Sequence, residues 1–313
     1  MLRTVTAGID GSPESRAAAV GAPPTPFGQW GRAAREAKLR GLPLKIVHVL
    51  EPVPEPPAAQ APLVGPETVR DWTEKIPRES VEGLRLRHPG VDVTGEQWSG
   101  RPGEVLPEAA GDAEVLVLGS RGLGGLGGFL VGSVGLRVVA HAELPVVLVR
   151  AYEQAADEHE PDPAGVPSAA TPFRPVVLGL DTDRPDAAPI EFAFDAARRR
   201  ATSLHVVHGW FPPPYYAYGT PVDPALHEAL ARSESEALTE ALRPWQQKFP
   251  DVEVVADSRY GSPAESLVEA ARTASLVVVG RRARRGVLGP HIGHVTHAVL
   301  HHATAPVAVV PHG

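Results

Sequence analysis

The chain has 313 residues, 43% hydrophobic, 21% charged and 5% aromatic, with no cysteine and a net charge of −7. At roughly 100–200 residues per domain, two domains are expected, and the ordinary hydrophobic share excludes wholesale disorder. Disulfides, cysteine metal sites and a thiol nucleophile are excluded outright, and the acidic balance speaks against a nucleic-acid-binding surface. Residues 1–5 show no leader pattern, and no run approaches roughly 18 consecutive apolar residues. The expectation is a cytoplasmic protein without membrane spans, with long loops from its 34 prolines and 31 glycines.

In chain order, short apolar runs bounded by turn residues read as strands buried on both faces, at 5–9, 44–50, 91–98, 115–118 and 145–149. A second series follows at 176–180, 204–208, 252–258, 276–279 and 307–310. Helical periodicity fills the intervals, as at 31–40, 67–87, 132–142 and 223–249. The alternation βαβαβαβαβ, written twice, predicts the α/β class: two five-stranded, mostly parallel sheets with helices on both faces.

The two series are copies of one another. Residues 137–149 resemble 298–310 at an offset of 161, and Gly119 maps onto Gly280 at the same offset. Gly8-Ile9-Asp10 resembles Gly179-Leu180-Asp181, but at an offset of 171, so the first copy carries about ten extra residues early on. They are assigned to 21–29, where Pro23, Pro24 and Pro26 interrupt a helical pattern. The predicted domains are 1–150 and 174–313. Residues 151–173, with five acidic and no basic side chains and four prolines, read as a solvated linker. Pro-rich stretches follow the second strand of each copy, at 52–66 and at 211–224 with Tyr215, Tyr216 and Tyr218, and read as lids over a ligand crevice or as plain tethers.

The chemistry concentrates after the fourth strand, in Gly119-Ser120-Arg121-Gly122 and a glycine-rich run that leads to Gly132-Ser133-Val134 and a helix. Glycines let backbone N–H groups approach an anion closely, and a helix start favours negative charge. Ser133 is a candidate both to cap that helix and to donate to a phosphate oxygen. Asp10, ending the first strand, could bond a ribose hydroxyl, hold Mg²⁺ against phosphates, or simply form a turn with Gly11.

These residues resemble the universal stress protein family in its tandem two-domain form. Its ATP-binding members carry G-x2-G-x9-G-[ST], matched here by Gly119, Gly122, Gly132 and Ser133, and an early Asp, matched by Asp10. The resemblance implies a sheet order 3-2-1-4-5 and an ATP site at the switch point between the first and fourth strands. Backbone groups near Val47 and Val49 would meet the adenine, and Asp10, Gly119, Arg121, Gly122, Gly132, Ser133 and Val134 would line the rest. Mg²⁺ is an optional companion. It further implies that the last strands of the two copies meet across a pseudo-two-fold axis as an intrachain pseudo-dimer, with a homodimer and an unidentified protein partner as open additions.

The second copy departs from this pattern: Ala283 replaces Gly122, His294 replaces Ser133 and Asp183 replaces Ser12. At a positive-φ position Ala283 would cost about 1 kcal/mol. Arg281, Arg282, Arg284 and Arg285 read as a solvated loop or as a compensating charge cluster. His294, His297 and His301 fall on one face of the last helix, as a polar stripe or a metal-binding set. His141 and His302 read as packed helix-end residues. The functional expectation is an ATP-binding stress-response regulator that holds nucleotide mainly in the first copy. The alternatives are a nucleotide-free scaffold and a slow ATP-hydrolysing enzyme.

Overall fold

The computed structural model describes residues 3–9, 28–51, 78, 81–120, 131–150, 154–212, 224–283 and 292–313. Asp10, Arg121 and Gly122, the extra residues at 21–27 and most of both Pro-rich stretches lie outside the described residues. The chain divides into two compact units, the first ending at Gln154 and the second beginning at Ala155. No helix among the described residues is long and apolar enough to cross a membrane.

The first unit comprises β1 (Thr4–Ile9), α1 (Gly28–Arg40), β2 (Leu44–Leu50), β3 (Val93–Ser99), α2 (Pro102–Ala109), β4 (Ala113–Ser120), α3 (Ser133–His141) and β5 (Val146–Arg150). Residues 81–87 are also helical. The second comprises β6 (Val176–Gly179), α4 (Ala187–Arg200), β7 (Leu204–Trp210), α5 (Pro224–Lys248), β8 (Val254–Tyr260), α6 (Pro263–Ala270), β9 (Leu276–Arg282), α7 (His294–His302) and β10 (Val307–His312). The first sheet runs β3-β2-β1-β4-β5 and the second β8-β7-β6-β9-β10, with every pair within each sheet parallel. Both follow the expected order 3-2-1-4-5.

The inner strands are buried as their apolar runs predict. Val5, Leu44, Ile46, Val115 to Val117 and Val147 in the first unit, and Val176, Leu178, Leu204 and Leu276 to Val278 in the second, exclude solvent almost completely. Each contributes about 1.5–3 kcal/mol by leaving water. The third strand of each unit corrects the sequence reading. β3 and β8 are outermost strands, and most of their residues are exposed. The apolar signal came from Val91, Val93 and Val252, which anchor the approach to the strand. Beyond it, charged residues such as Glu96 and Arg259 discourage pairing along the open edge.

The repeated Gly8 and Gly179 have a packing reason. A Cβ on Gly8 would lie 2.7 Å from Leu106 of α2, and one on Gly179 would lie 2.7 Å from Leu267 of α6. A leucine from the same helix of each unit thus seats directly on the first strand. The first helix also ends alike in both units: Gly41 (φ 64°) and Ala201 (φ 48°) each adopt the left-handed conformation after it. Glycine does this freely, whereas alanine carries strain of about 1–2 kcal/mol.

The buried face of α1 differs from its counterpart. Arg32 and Glu36 are 3.1 Å apart, Glu36 and Arg40 3.3 Å, and Arg40 also pairs with Glu114 of β4. Arg32, Glu36 and Arg40 are buried. The same positions in α4 are Phe192, Ala196 and Arg200, so the buried arginine at the helix end is kept while Arg32 and Glu36 give way to apolar side chains.

The connection from β1 to α1 is residues 10–27, against 180–186 between β6 and α4, which locates the insertion. Helix α1 begins at Gly28, so the last two residues assigned to the insertion are helical. The acidic segment is more than a solvated linker. Glu158 and His159 are buried, His159 bridges Phe173 in antiparallel fashion with the rings 4.0 Å apart, and Arg174 N–H donates to the Glu158 carbonyl. Glu160 and Asp162 sit on a loop whose two ends are closed against each other.

Candidate functional site

In each unit the first strand leads to a neighbour on one side and the fourth to a neighbour on the other, so a crevice opens where their carboxyl ends lie side by side. In the first unit Gly8 pairs with Leu118, which places the end of β1 beside Gly119. Gly119 and Ser120 are the last residues of β4 and pair with Val149 and Arg150. Helix α3 begins at Ser133 after Gly132, whose extended backbone (φ −63°, ψ 157°) makes it the cap residue. The expectation that Ser133 caps this helix is therefore corrected. Ser133 is its exposed first residue, and the cap residue Gly132 has no side chain to accept from the helix start. The first N–H groups of a helix have no carbonyl partner within it, and they carry the positive end of its dipole. Val134 is half-buried beside them.

Val47 and Val49 of β2 are both fully buried. Val47 lies within the ladder, between Gly8 and Glu96. Val49 pairs with Trp98 but lies beyond the last β1 pair, Ile9 with His48, at the rim of the crevice. The described site residues Val47, Val49, Gly119, Gly132, Ser133 and Val134 thus lie on β2, on β4 and at the start of α3, with Gly132 as its cap.

The corresponding end of the second unit is occupied by its own side chains. Asp181 turns back to accept from the N–H of Asp183 at 3.1 Å. His208, buried near the end of β7, donates from Nδ1 to the Leu180 carbonyl at 3.0 Å. Its Nε2 lies 3.2 Å from Thr182 Oγ1 and 3.2 Å from Glu234 of α5. At the β9–α7 junction, Thr296 Oγ1 donates to the Gly280 carbonyl at 2.9 Å. On Gly280, the His312 ring would lie 2.8 Å from an added Cβ, and His312 Nδ1 is 3.3 Å from Asp186. Ala283 does not have positive φ, so the anticipated backbone cost is absent. Arg281 is buried in β9 rather than solvated, and Arg282 is half-buried.

Sequence reasoning missed Thr296, His312 and the His208 cluster, because each joins residues distant in the chain. It also missed an aromatic group at the ends of β7 and β8. Trp210, Phe211, His227 and Tyr260 stand with ring centroids 5.1–5.9 Å apart. The signal was present, since the first unit has Leu50, Glu51 and Ser99 at the strand positions. His141 and His302 are exposed, not packed, but His141 does reach the end of its helix, with Nδ1 2.8 Å from the Arg137 carbonyl. On α7 the buried side chains are Thr296, Val299 and Leu300, so the histidines do form an outer stripe. Partial burial, followed by the charges of His301 and His302, holds the His297 pKa below its ordinary value of 6.5.

Comparison with known proteins agrees with this architecture. A profile of the universal stress protein family matches residues 1–150 and again 172–311. A universal stress protein of Mycobacterium tuberculosis is 34% identical over 313 residues, covering 97% of this chain and 96% of the relative. A second from the same organism is 32% identical over 332 residues, covering 97% and 94%. Among solved structures, a universal stress protein from Archaeoglobus fulgidus superimposes with a TM-score of 0.61 at 16% identity, covering 99% of this chain and 98% of that one. The chain belongs to the universal stress protein family and carries the family's domain twice.

Proposed function

We propose that the first unit binds ATP and that the second does not bind it in the same way, so that the protein acts as a nucleotide-responsive regulator. The observation that carries this reading is positional. The motif Gly119, Gly122, Gly132 and Ser133 brackets the passage from the end of β4 to a helix start whose cap residue is a glycine, at the crevice where α/β sheets bind ligands. In this reading the α3 N–H groups and the Ser133 hydroxyl take the phosphates, with Gly119, Arg121 and Gly122 alongside. Asp10 takes the ribose or a Mg²⁺ ion, Val47 and Val49 flank the adenine, and Val134 packs behind the helix start. In the second unit, Thr296 and His312 hold Gly280, and Asp181 and His208 are engaged with their own neighbours.

Calorimetric titration with ATP at low and high salt tests both parts. One site per chain that persists at high salt is expected, because a cradle of backbone N–H groups depends less on salt than paired surface charges do. Two equal sites at high salt would remove the asymmetry, and no binding under any condition would remove the ATP reading.

A further inference from the structure

Helix α7 reads HVTHAVLHH, with four histidines in nine residues. Its buried side chains are Thr296, Val299 and Leu300, and His297 and His301 stand one turn apart outside that set. His297 is exposed and His301 half-buried. Their ring centroids are 4.4 Å apart, with the planes inclined at 43°.

Two imidazoles at i and i+4 are the arrangement by which one helix face grips zinc. With metal–nitrogen bonds of about 2.0–2.1 Å, two coordinated rings at roughly right angles place their centroids about 4.5 Å apart. The observed spacing is therefore close to that of a chelating pair. The fold does not demand it, because α3 has Leu136 and Ala140 at the same positions. Among the described residues no group of three or more histidines or carboxylates could hold a metal ion, so a closed structural site is not formed there.

We propose that His297 and His301 form a two-nitrogen chelating site for a late first-row divalent cation, with water completing its coordination. Imidazole suits copper, nickel and zinc, and Cu²⁺ should bind most tightly of these. Two protein ligands leave the ion exchangeable, unlike the four-ligand structural zinc sites.

The test is titration of the tag-free full chain with Cu²⁺ alone, followed by calorimetry and electron paramagnetic resonance. One Cu²⁺ per chain is expected, with coupling to two nitrogens. His297→Ala and His301→Ala should each weaken binding at least tenfold, and the double variant should lose little more. His302→Ala should leave affinity within twofold, and circular dichroism confirms that the variants are folded. The proposal fails if Cu²⁺ does not bind. It fails equally if both single variants keep wild-type affinity, or if His302→Ala costs as much as they do.

Discussion

The two strand-to-helix junctions, β4–α3 and β9–α7, join matching elements and differ in the side chains that meet those elements' ends. In the second unit the Thr296 hydroxyl is spent on the Gly280 carbonyl, and the His312 ring rests on Gly280. The first unit has Gly135 in place of Thr296 and Ala151 in place of His312, so neither side chain is available there. Both helices begin after a glycine, Gly132 and Gly293, without a side-chain cap. The two helix starts are therefore alike in backbone, and the side chains that meet the strand ends distinguish them. The contrast extends to the first helices, where α1 buries Arg32 and Glu36 and α4 has a half-buried Phe192 and a buried Ala196 at the matching positions.

That contrast can be broken most severely at Glu36. Glu36→Ala would leave Arg32 and Arg40 buried without their shared carboxylate, a change expected to cost about 3–5 kcal/mol. Urea unfolding should show it, and no equivalent loss exists in the second unit, which already has Ala196. An effect below 1 kcal/mol would mean that the chain of ion pairs is not maintained in solution.

The next effect concerns binding. Gly132→Val should lower ATP affinity more than a hundredfold, or about 2.7 kcal/mol, while Gly293→Val leaves it unchanged. Calorimetry on folded variants decides between the units, and equal losses from both substitutions would contradict the asymmetry.

A packing test should treat the units alike. Gly8→Ala and Gly179→Ala each push a Cβ into a leucine at 2.7 Å, at a cost of about 1–3 kcal/mol apiece. Thermal unfolding that registers only one of them would show that the leucine contact is not equivalent in the two units. Smaller and opposite in sign are the helix ends. Gly41→Ala should lose about 1 kcal/mol and Ala201→Gly should gain about as much, because both positions are left-handed. A shift of the same sign in both would refute the shared geometry.

The smallest effect is pH-dependent. Burial, followed by Arg35, Arg87 and Lys38, lowers the pKa of His88 below its ordinary 6.5. The unfolded chain therefore takes up a proton more readily than the folded one. This contribution to stability is complete above pH 6.5 and declines as pH falls through 6.5 toward the lower folded value. The matching residue of the second unit is Phe249, buried with its ring 5.4 Å from Phe194. His88→Phe should flatten the decline in stability between pH 7.5 and 5.5, and an unchanged pH profile would exclude His88 as its source.

Much of this protein was legible in its amino-acid order. Periodicity places the inner strands to within a few residues, because burial on both faces requires continuous apolar runs. The repeat is visible because Gly8 and Gly179, and Gly119 and Gly280, occupy positions where the backbone plan recurs. The glycine motif, Gly132 with Ser133, falls at a helix start as its spacing suggests. Other features were decided by tertiary structure. Val91 and Val252 are buried just before strands that turn out to be exposed, since only sheet order shows that β3 and β8 are outermost. Glu36 looks like a surface residue in the sequence, and it is inside because Arg32 and Arg40 flank it one turn away on the same face. Thr296 and His312 meet Gly280 from separate elements, and His208 gathers Leu180, Thr182 and Glu234 from three more segments. Local pattern encodes burial and turns, because those depend on near neighbours along the chain. Which polar groups satisfy one another depends on strand order and helix packing, and that pairing is what distinguishes the two units.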